Sequence, residues 1–369
     1  MVGLAVVGAG NWGKNLVRNF ASQPQCQLLY VCDRSEKIRQ NLARLYPQTR
    51  MIDDLQIALD DPRVQAVVVA VDVPLHHKLA KLALEAGKHV YVEKPLTLST
   101  EEAVDLIDLA ERKKVKLMVG HLLEYHPAVN YMKQMIADGL VGDQLYLYFQ
   151  RVNLGIVRTS ENAWWSLAPH DISVACYLFN AEPVSISATG HSYLQSGIED
   201  VVFANLKFAD GRMAHIHVSW LDPHKERKVT LVGTKRMVVF DDMDASEKIR
   251  IYDKGAEIKK SVESYAEAIT LRTGDIVIPA IPAGEPLALE CKHFLDCILN
   301  DKTPRSDGLD GLRVVKVLEA GSKSLSRGGE PIKLAPAREP SIEVQIFAGK
   351  SSREKTPTLV PSPSGRGMG

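Results

Sequence analysis

The chain has 369 residues, 45% of them hydrophobic and 24% charged, with 45 Lys and Arg against 45 Asp and Glu. That is apolar material for about two packed domains of an ordinary globular protein. A formal net charge of zero argues against a general polyanion binder, so no nucleic-acid partner is expected. No apolar run approaches the roughly 18 residues of a membrane span, and Met1-Val2-Gly3-Leu4 lacks the basic start of a signal peptide. No membrane partner is expected either. The five cysteines (26, 32, 176, 291 and 297) form no Cys-x-x-Cys pair. Reduced thiols in a cytoplasmic protein, with no metal site, are the expectation.

Val2 to Val7 is a continuous apolar run, as suits a parallel strand covered on both faces. It ends in Gly8-Ala9-Gly10-Asn11-Trp12-Gly13, and a helix follows with Leu16, Val17 and Phe20 on one face. A Gly-x-Gly-x-x-Gly between strand and helix is the dinucleotide-binding fingerprint. Gly8 permits the tight turn, Gly10 lets backbone approach a pyrophosphate, and Gly13 lets helix pack on strand. The helix N-terminus then offers its N–H groups to the phosphates. Leu28 to Cys32 is a second strand, ending at Asp33, 20 residues beyond Gly13. A carboxylate there meets the adenosine ribose, which favours NAD over NADP; Arg34 alone speaks for a 2′-phosphate.

Strand and helix keep alternating. Ser35 to Tyr46 carries Ile38, Leu42 and Leu45 at helical spacing, Val64 to Val71 reads as a strand, and Leu75 to Ala86 as a helix stopped by Gly87. A short strand, His89 to Val92, then runs into Glu93-Lys94-Pro95. Proline restricts its own backbone and that of the residue before it, so Lys94 is held at a strand's carboxyl end. Ser99 and Glu102 fit a capping box, and Lys116 to Val119 is the next strand, leading to Gly120-His121. The pattern predicts a doubly wound parallel sheet over residues 1–122, with Lys94 about one strand past the cofactor crevice. Taken alone, Glu93 and Lys94 could equally be a surface ion pair of little consequence.

Beyond Gly120 the pattern changes. Pro127 to Ala137 reads as a helix and Leu145 to Val152 as a strand. Hairpin signals follow at Val201–Phe208/Met213–Trp220 and Lys228–Val232/Met237–Phe240. These predict an α+β domain, residues 123–334, with one large mixed or antiparallel sheet. Val202, Ala204, Leu206 and Phe208 alternate with Val201, Phe203, Asn205 and Lys207. A face of this kind suggests a subunit interface, hence a homodimer or homotetramer through the second sheet.

Between the first of these strands and the hairpins lie Arg151, Arg158, Asn162, Trp164, Trp165 and Pro169-His170-Asp171. Proline suits a helix's first position and Asp171 the dipole beside it. A helix is therefore expected from Pro169, with His170 in its exposed first turn, where the dipole keeps the imidazole neutral. Arg151 and Arg158 either bind a diphosphate or carboxylate bidentately or are solvated strand-edge charges. Trp164 and Trp165 either stack on a ligand or fill core. Leu287–Leu299 and Leu309–Leu325 read as helices. Residues 335–369, rich in Pro, Ser and Gly, have the composition of a disordered tail.

On Gly8-x-Gly10-x-x-Gly13, Gly87-Lys88-His89-Val90 with Glu93-Lys94-Pro95, and the helix bearing His170, the chain resembles the glucose-fructose oxidoreductase / inositol dehydrogenase / MocA family over about residues 2 to 330. The resemblance implies a dehydrogenase that moves a hydride from a sugar hydroxyl to NAD, with Lys94 and His170 as the acid/base pair. It implies cofactor contacts from the glycine loop (Gly8, Gly10, Asn11, Trp12, Gly13) and from Asp33, Arg34, His76, Glu93, Lys94 and His121. Substrate contacts fall to Lys94, Tyr125, Arg151, Arg158, Asn162, Trp165, His170 and Asp171. The chain departs from the family at Ser166, where an aspartate often stands, and at Val71-Asp72-Val73, where many members have Thr-Pro-Asn. Gly120 to Pro127 and Trp165 to Asp171 look like the branch that oxidises C3 of UDP-N-acetylglucosaminuronate. Two rivals stay open: a dehydrogenase of a free polyol such as inositol, and a catalytically silent nucleotide sensor.

Overall fold

The computed structural model describes residues 1–258 and 269–335. One compact unit spans Met1–Ala337; the expected disordered tail lies, from residue 336 on, outside the described residues.

The chain opens with β1 (Val2–Val7), α1 (Gly13–Ser22), β2 (Cys26–Cys32), α2 (Glu36–Leu45), β3 (Arg50–Ile52), the one-turn α3 (Gln56–Leu59), β4 (Ala66–Val69), α4 (His76–Glu85), β5 (His89–Glu93), α5 (Thr100–Lys113) and β6 (Leu117–Gly120). These six strands pair in parallel in the order β3-β2-β1-β4-β5-β6. The order reverses between β1 and β4, and that switch point opens the crevice in which such sheets bind ligands. Every residue of β1 and β4 is buried, which is why both read as unbroken apolar runs. Ser99 caps α5 by accepting from the Glu102 N–H, while Glu102 reaches back to the N–H of Leu98. Three-residue β3 is too short to show a periodicity.

The chain continues with α6 (Pro127–Ala137), β7 (Gln144–Val152), α7 (Ala163–Phe179), β8 (Pro183–His191), β9 (Val201–Phe208), β10 (Met213–Ser219), β11 (Glu226–Gly233), β12 (Met237–Asp241), β13 (Ile249–Ile258), β14 (Ile269–Val277), α8 (Pro286–Leu299), α9 (Gly308–Ser326) and β15 (Ile332–Lys333). Nine strands form the second sheet, in the order β14-β13-β12-β11-β7-β10-β9-β8-β15. β7 and β10 are parallel and the other pairs antiparallel, so the sheet is mixed.

The alternation along β9 separates a core face from an open one. Val202, Ala204, Leu206 and Phe208 are buried in one core with α7, while Phe203 stays 42% exposed on the open face. The last two helices turn back. Phe294 of α8 meets Phe20 and Tyr91 edge to face at 6.3 and 5.9 Å, and Leu312 and Val315 of α9 join the core of the first sheet.

One element begins elsewhere than expected. α7 starts at Ala163, where the Asn162 side chain caps it by accepting from the Trp165 N–H. Pro169 lies inside the helix, and His170 two turns in. An interior proline costs about 3 kcal/mol, but α7 is buried along most of its length, and packing of that extent outweighs local propensity.

Candidate active site

The site begins with the glycine loop. Gly8 takes φ +86°, and a Cβ on Gly13 would lie 2.1 Å from the Gly8 carbonyl, so neither position admits a side chain. A Cβ on Gly10 would meet nothing within 4 Å, so the loop keeps free space beside its backbone. α1 begins without a side-chain cap; its Lys14 and Asn15 N–H groups turn back to the Gly10 and Trp12 carbonyls, and no side chain competes with an anion at the positive end of the helix. Asp33 follows β2 directly and accepts from the Ala9 N–H at 2.8 Å and the Ser35 N–H at 2.8 Å. Each oxygen keeps a second lone pair for a ribose hydroxyl. These residues fit NAD, which when bound supplies a two-electron acceptor. Asn11, Trp12 and Arg34 are exposed around the loop.

The Trp12 indole reaches across to β5 and donates to Glu93 Oε1 at 2.6 Å. Tyr91 donates to the same oxygen at 3.3 Å, and the Lys94 backbone N–H to Oε2 at 3.2 Å. The Glu93 carboxylate thus ties the glycine loop to the Lys94 corner through the backbone, not by gripping the ammonium. Burial raises its pKa, against the bonds from Trp12 and the charge of Lys94. The Lys94–Pro95 peptide is cis.

Lys94 and His170 are brought together. The Lys94 ammonium donates to the Ser166 carbonyl of α7 at 3.0 Å. Ser166 and His170 are four residues apart, hence on one helix face. Where the family often has an aspartate side chain, this chain offers a main-chain oxygen. Pro169 has no N–H for the neighbouring Trp165 carbonyl, so this turn is a weak point in the helix ladder. Both side chains keep partial access to solvent. Burial lowers the Lys94 pKa, opposed by Glu93 and Glu161 and helped by Arg158 and Arg151. Burial also drops His170 well below its ordinary value, helped by Lys94, Arg151, His121 and Arg227. Burial first, and then the neighbouring cations, favour a neutral imidazole at His170, where a helix dipole was the expected cause.

Several expected contacts are committed elsewhere. Arg151 grips Asp171 bidentately, Nη2 to Oδ1 at 2.7 Å and Nε at 3.1 Å, with both side chains buried. The pair takes up Nε and Nη2 of Arg151 and both oxygens of Asp171. Asn162 caps α7 and donates to Glu199 at 2.6 Å. The Tyr125 hydroxyl is spent on Ser306 at 2.9 Å. The His76 ring nitrogens lie 2.9 Å from Pro95 O and 3.0 Å from Val71 O, so His76 is a strut bracing the Lys94 corner. Trp164 fills core and donates to Leu318 O, while half-buried Trp165 donates to Ser322 Oγ at 2.8 Å. Arg158 remains exposed, paired with Glu161 at 3.0 Å. That pair bears on the Lys94 charge and so lies within its electrostatic reach.

His121 is buried beside two carboxyls, Glu124 three residues on and Asp310 of α9. Its Nδ1 lies 2.6 Å from Asp310 Oδ2 and 3.6 Å from Glu124 Oε1. Ligand atoms of this trio lie within 4.8 Å of one another, but the short His121–Asp310 bond and a 2.6 Å bond from Ser173 to Glu124 already use them.

Fold and site together define an NAD-dependent oxidoreductase. A model of the oxidoreductase family with NAD-binding Rossmann fold (Gfo/Idh/MocA) matches residues 2–121, and one of the Gfo/Idh/MocA C-terminal domain matches residues 129–239. The chain belongs to the Gfo/Idh/MocA family. It is 26% identical to the NAD-dependent scyllo-inositol 2-dehydrogenase of Bacillus subtilis, over 89% of this chain and 95% of that one. It is also 26% identical to the UDP-N-acetylglucosamine 3-dehydrogenase of Acidithiobacillus ferrooxidans, over 84% and 93%. Among solved structures, levoglucosan dehydrogenase in complex with NADH superposes with TM-score 0.77 at 20% identity, over 90% and 99%, a likeness of fold.

Proposed function

We propose that this chain oxidises a secondary ring hydroxyl of a sugar or sugar derivative with NAD, Lys94 and His170 managing the hydroxyl proton. The observation that carries this is the Lys94 ammonium, enclosed at the sheet's carboxyl edge and docked at 3.0 Å on the turn of α7 that bears His170. As the carbinol C–H bond gives up its electron pair, the O–H proton needs an acceptor within reach. A lysine whose ammonium is disfavoured by burial is suited to that task.

The finer reading takes C3 of a UDP-N-acetylglucosaminuronate-like nucleotide sugar as the reacting carbon. The likeness to a UDP-N-acetylglucosamine 3-dehydrogenase supports it, as does Arg158, the expected anion-binding arginine not locked in a buried pair. The equal likeness to an inositol dehydrogenase supports a free polyol. A screen for NADH formation with UDP-N-acetylglucosamine, its uronate, inositols and free sugars decides between them. Arg158→Ala is expected to raise KM for a nucleotide sugar about tenfold or more and to leave a polyol's KM unchanged. No NADH from any of these compounds would leave the silent sensor as the better reading.

A domain boundary near residue 122, a cytoplasmic location and a homodimer or homotetramer built on the second sheet belong to the same proposal. No helix of the described residues is long and apolar enough to cross a membrane.

A further inference from the structure

Glu93 ends β5 with its side chain buried, 8% exposed, and no step of the dehydrogenation outlined above uses it. Its carboxylate accepts from two sides. Oε1 takes the Trp12 indole N–H at 2.6 Å and the Tyr91 hydroxyl at 3.3 Å, while Oε2 takes the Lys94 backbone N–H at 3.2 Å. Residues 12 and 93 are 81 apart in the chain. Their bond therefore joins two loops at the carboxyl edge of the first sheet: the glycine loop after β1 and the corner after β5. A short bond from an N–H to a carboxylate is of the stronger kind.

The seat of the carboxylate is built for it. Gly120 is the register partner of Glu93 on β6. A Cβ at 120 would lie 2.6 Å from the Tyr91 hydroxyl and 3.1 Å from Glu93 Oε2, so the missing side chain is the room in which the carboxylate lies. Lys94 Nζ turns the other way, to the Ser166 carbonyl at 3.0 Å. Glu93 thus acts on the backbone of Lys94 and leaves the side chain to α7. Trp12 lies between Gly10 and Gly13, at the N-cap of α1, on the stretch that would hold the pyrophosphate. Its ring is 44% exposed, more than a core-filling tryptophan would be, and its one polar atom is spent on Glu93.

We propose that Trp12 is a positioning residue: through Glu93 it carries the state of the glycine loop to the backbone of Lys94, so that a cofactor seated on the loop fixes where the lysine stands. The tie needs both oxygens of a carboxylate, one for each end. Glu93→Gln leaves a single acceptor oxygen, which serves one end only. Trp12→Phe keeps a ring and loses the N–H. Each change leaves the cofactor's seat and Lys94 in place and disconnects them. Only the kinetic part of the test rests on the dehydrogenase reading.

The test is amide hydrogen exchange at Lys94, followed residue by residue by NMR, with ADP-ribose as the probe. ADP-ribose fills the seat of the pyrophosphate and has no nicotinamide ring to cover Lys94 directly. In the free protein, Trp12→Phe is expected to speed exchange of the Lys94 amide about tenfold or more, as loss of a bond to a charged group gives. The amides inside β5 should keep their rates, whereas a general loosening would speed them too. In the wild type, saturating ADP-ribose is expected to slow the Lys94 amide about fivefold or more. In Trp12→Phe and in Glu93→Gln, both with the probe bound, that response should disappear. With a substrate found in the screen, Trp12→Phe should lower kcat about tenfold and cost nothing further in the Glu93→Gln background. A Lys94 amide indifferent to ADP-ribose in the wild type, a response that survives Trp12→Phe, or additive losses of kcat would each overturn the proposal. Should Trp12→Phe not fold, Glu93→Gln carries the exchange test alone. Exchange needs no turnover, so failure there is distinguishable from a failed NADH screen, which would overturn the dehydrogenase reading instead.

Discussion

His121 and Glu124 give the site a pH dependence of stability whose sign follows from their raised pKa values. Glu124 is raised from its ordinary 4.5 to about 8 and His121 from 6.5 to about 10. Both hold their protons more tightly folded than unfolded. Their stabilisation is therefore complete below the ordinary values and is lost as pH rises through the folded ones. Between pH 4.5 and 8 the Glu124 share disappears first. Glu124→Gln carries no titrating carboxyl, so the Tm difference between it and the wild type should shift in the variant's favour across that window. A difference constant from pH 4.5 to 8 would contradict the assignment. At this scale the chain is partly legible. Lys94 announces itself because a proline stiffens the backbone at the end of a short strand, and Asp33 because its distance from the glycine loop is set by one βαβ unit. Arg151 does not, since an arginine that binds a ligand and one that binds Asp171 look alike until the fold brings residues 151 and 171 together. The partner of His121 lies 189 residues away, beyond any local pattern.

Among the elements, α7 carries the most consequence. It presents Ser166 O to Lys94 and Ser173 to Glu124, and it is held from behind by α9. The Trp164 indole donates to Leu318 O at 2.9 Å, and a Cβ on Gly321 would lie 2.6 Å from three atoms of that indole. The two helices approach closely because residue 321 has no side chain. Gly321→Ala should overpack this contact, cost about 1–3 kcal/mol and lower Tm by several degrees in a thermal melt. An unchanged Tm would show that the contact yields freely. The start of α7 is hidden in the sequence for a definable reason. Proline is the strongest local signal for a first helical turn, and it masks the Asn162 cap seven residues earlier. The regular strands and helices of the first sheet are legible because burial on both faces writes continuous apolar runs. Neither β3, which is three residues long, nor the charge-laced β13 and β14 leaves such a mark.

At the scale of the whole molecule, the second sheet covers one face with α7 and α9 and leaves the other open. Phe203, Met213, Leu145 and Tyr146 are 42–47% exposed, and Met213, Leu145 and Tyr146, with Asn205 and His215, line a depression of about 260 Å³. The proposed pairing with a second copy would use this mixed face, where exposed apolar side chains stand among Asn205 and His215. Phe203→Glu would bury a charge at such an interface, and sedimentation should show the assembly falling to monomer while the far-ultraviolet circular dichroism is retained. An unchanged mass would place any assembly elsewhere. The first sheet and the second meet functionally where Lys94 of one touches the helix that rests on the other, and the assignment of an oxidoreductase site depends on that junction. The most direct measurement is NADH formation by Lys94→Met, with any substrate the wild type oxidises, alongside NAD binding by the same protein. The expected result is a turnover lowered about 100-fold or more, as loss of an acid/base group gives, with the NAD dissociation constant unchanged. Turnover close to wild type, with NAD bound normally, would contradict the account.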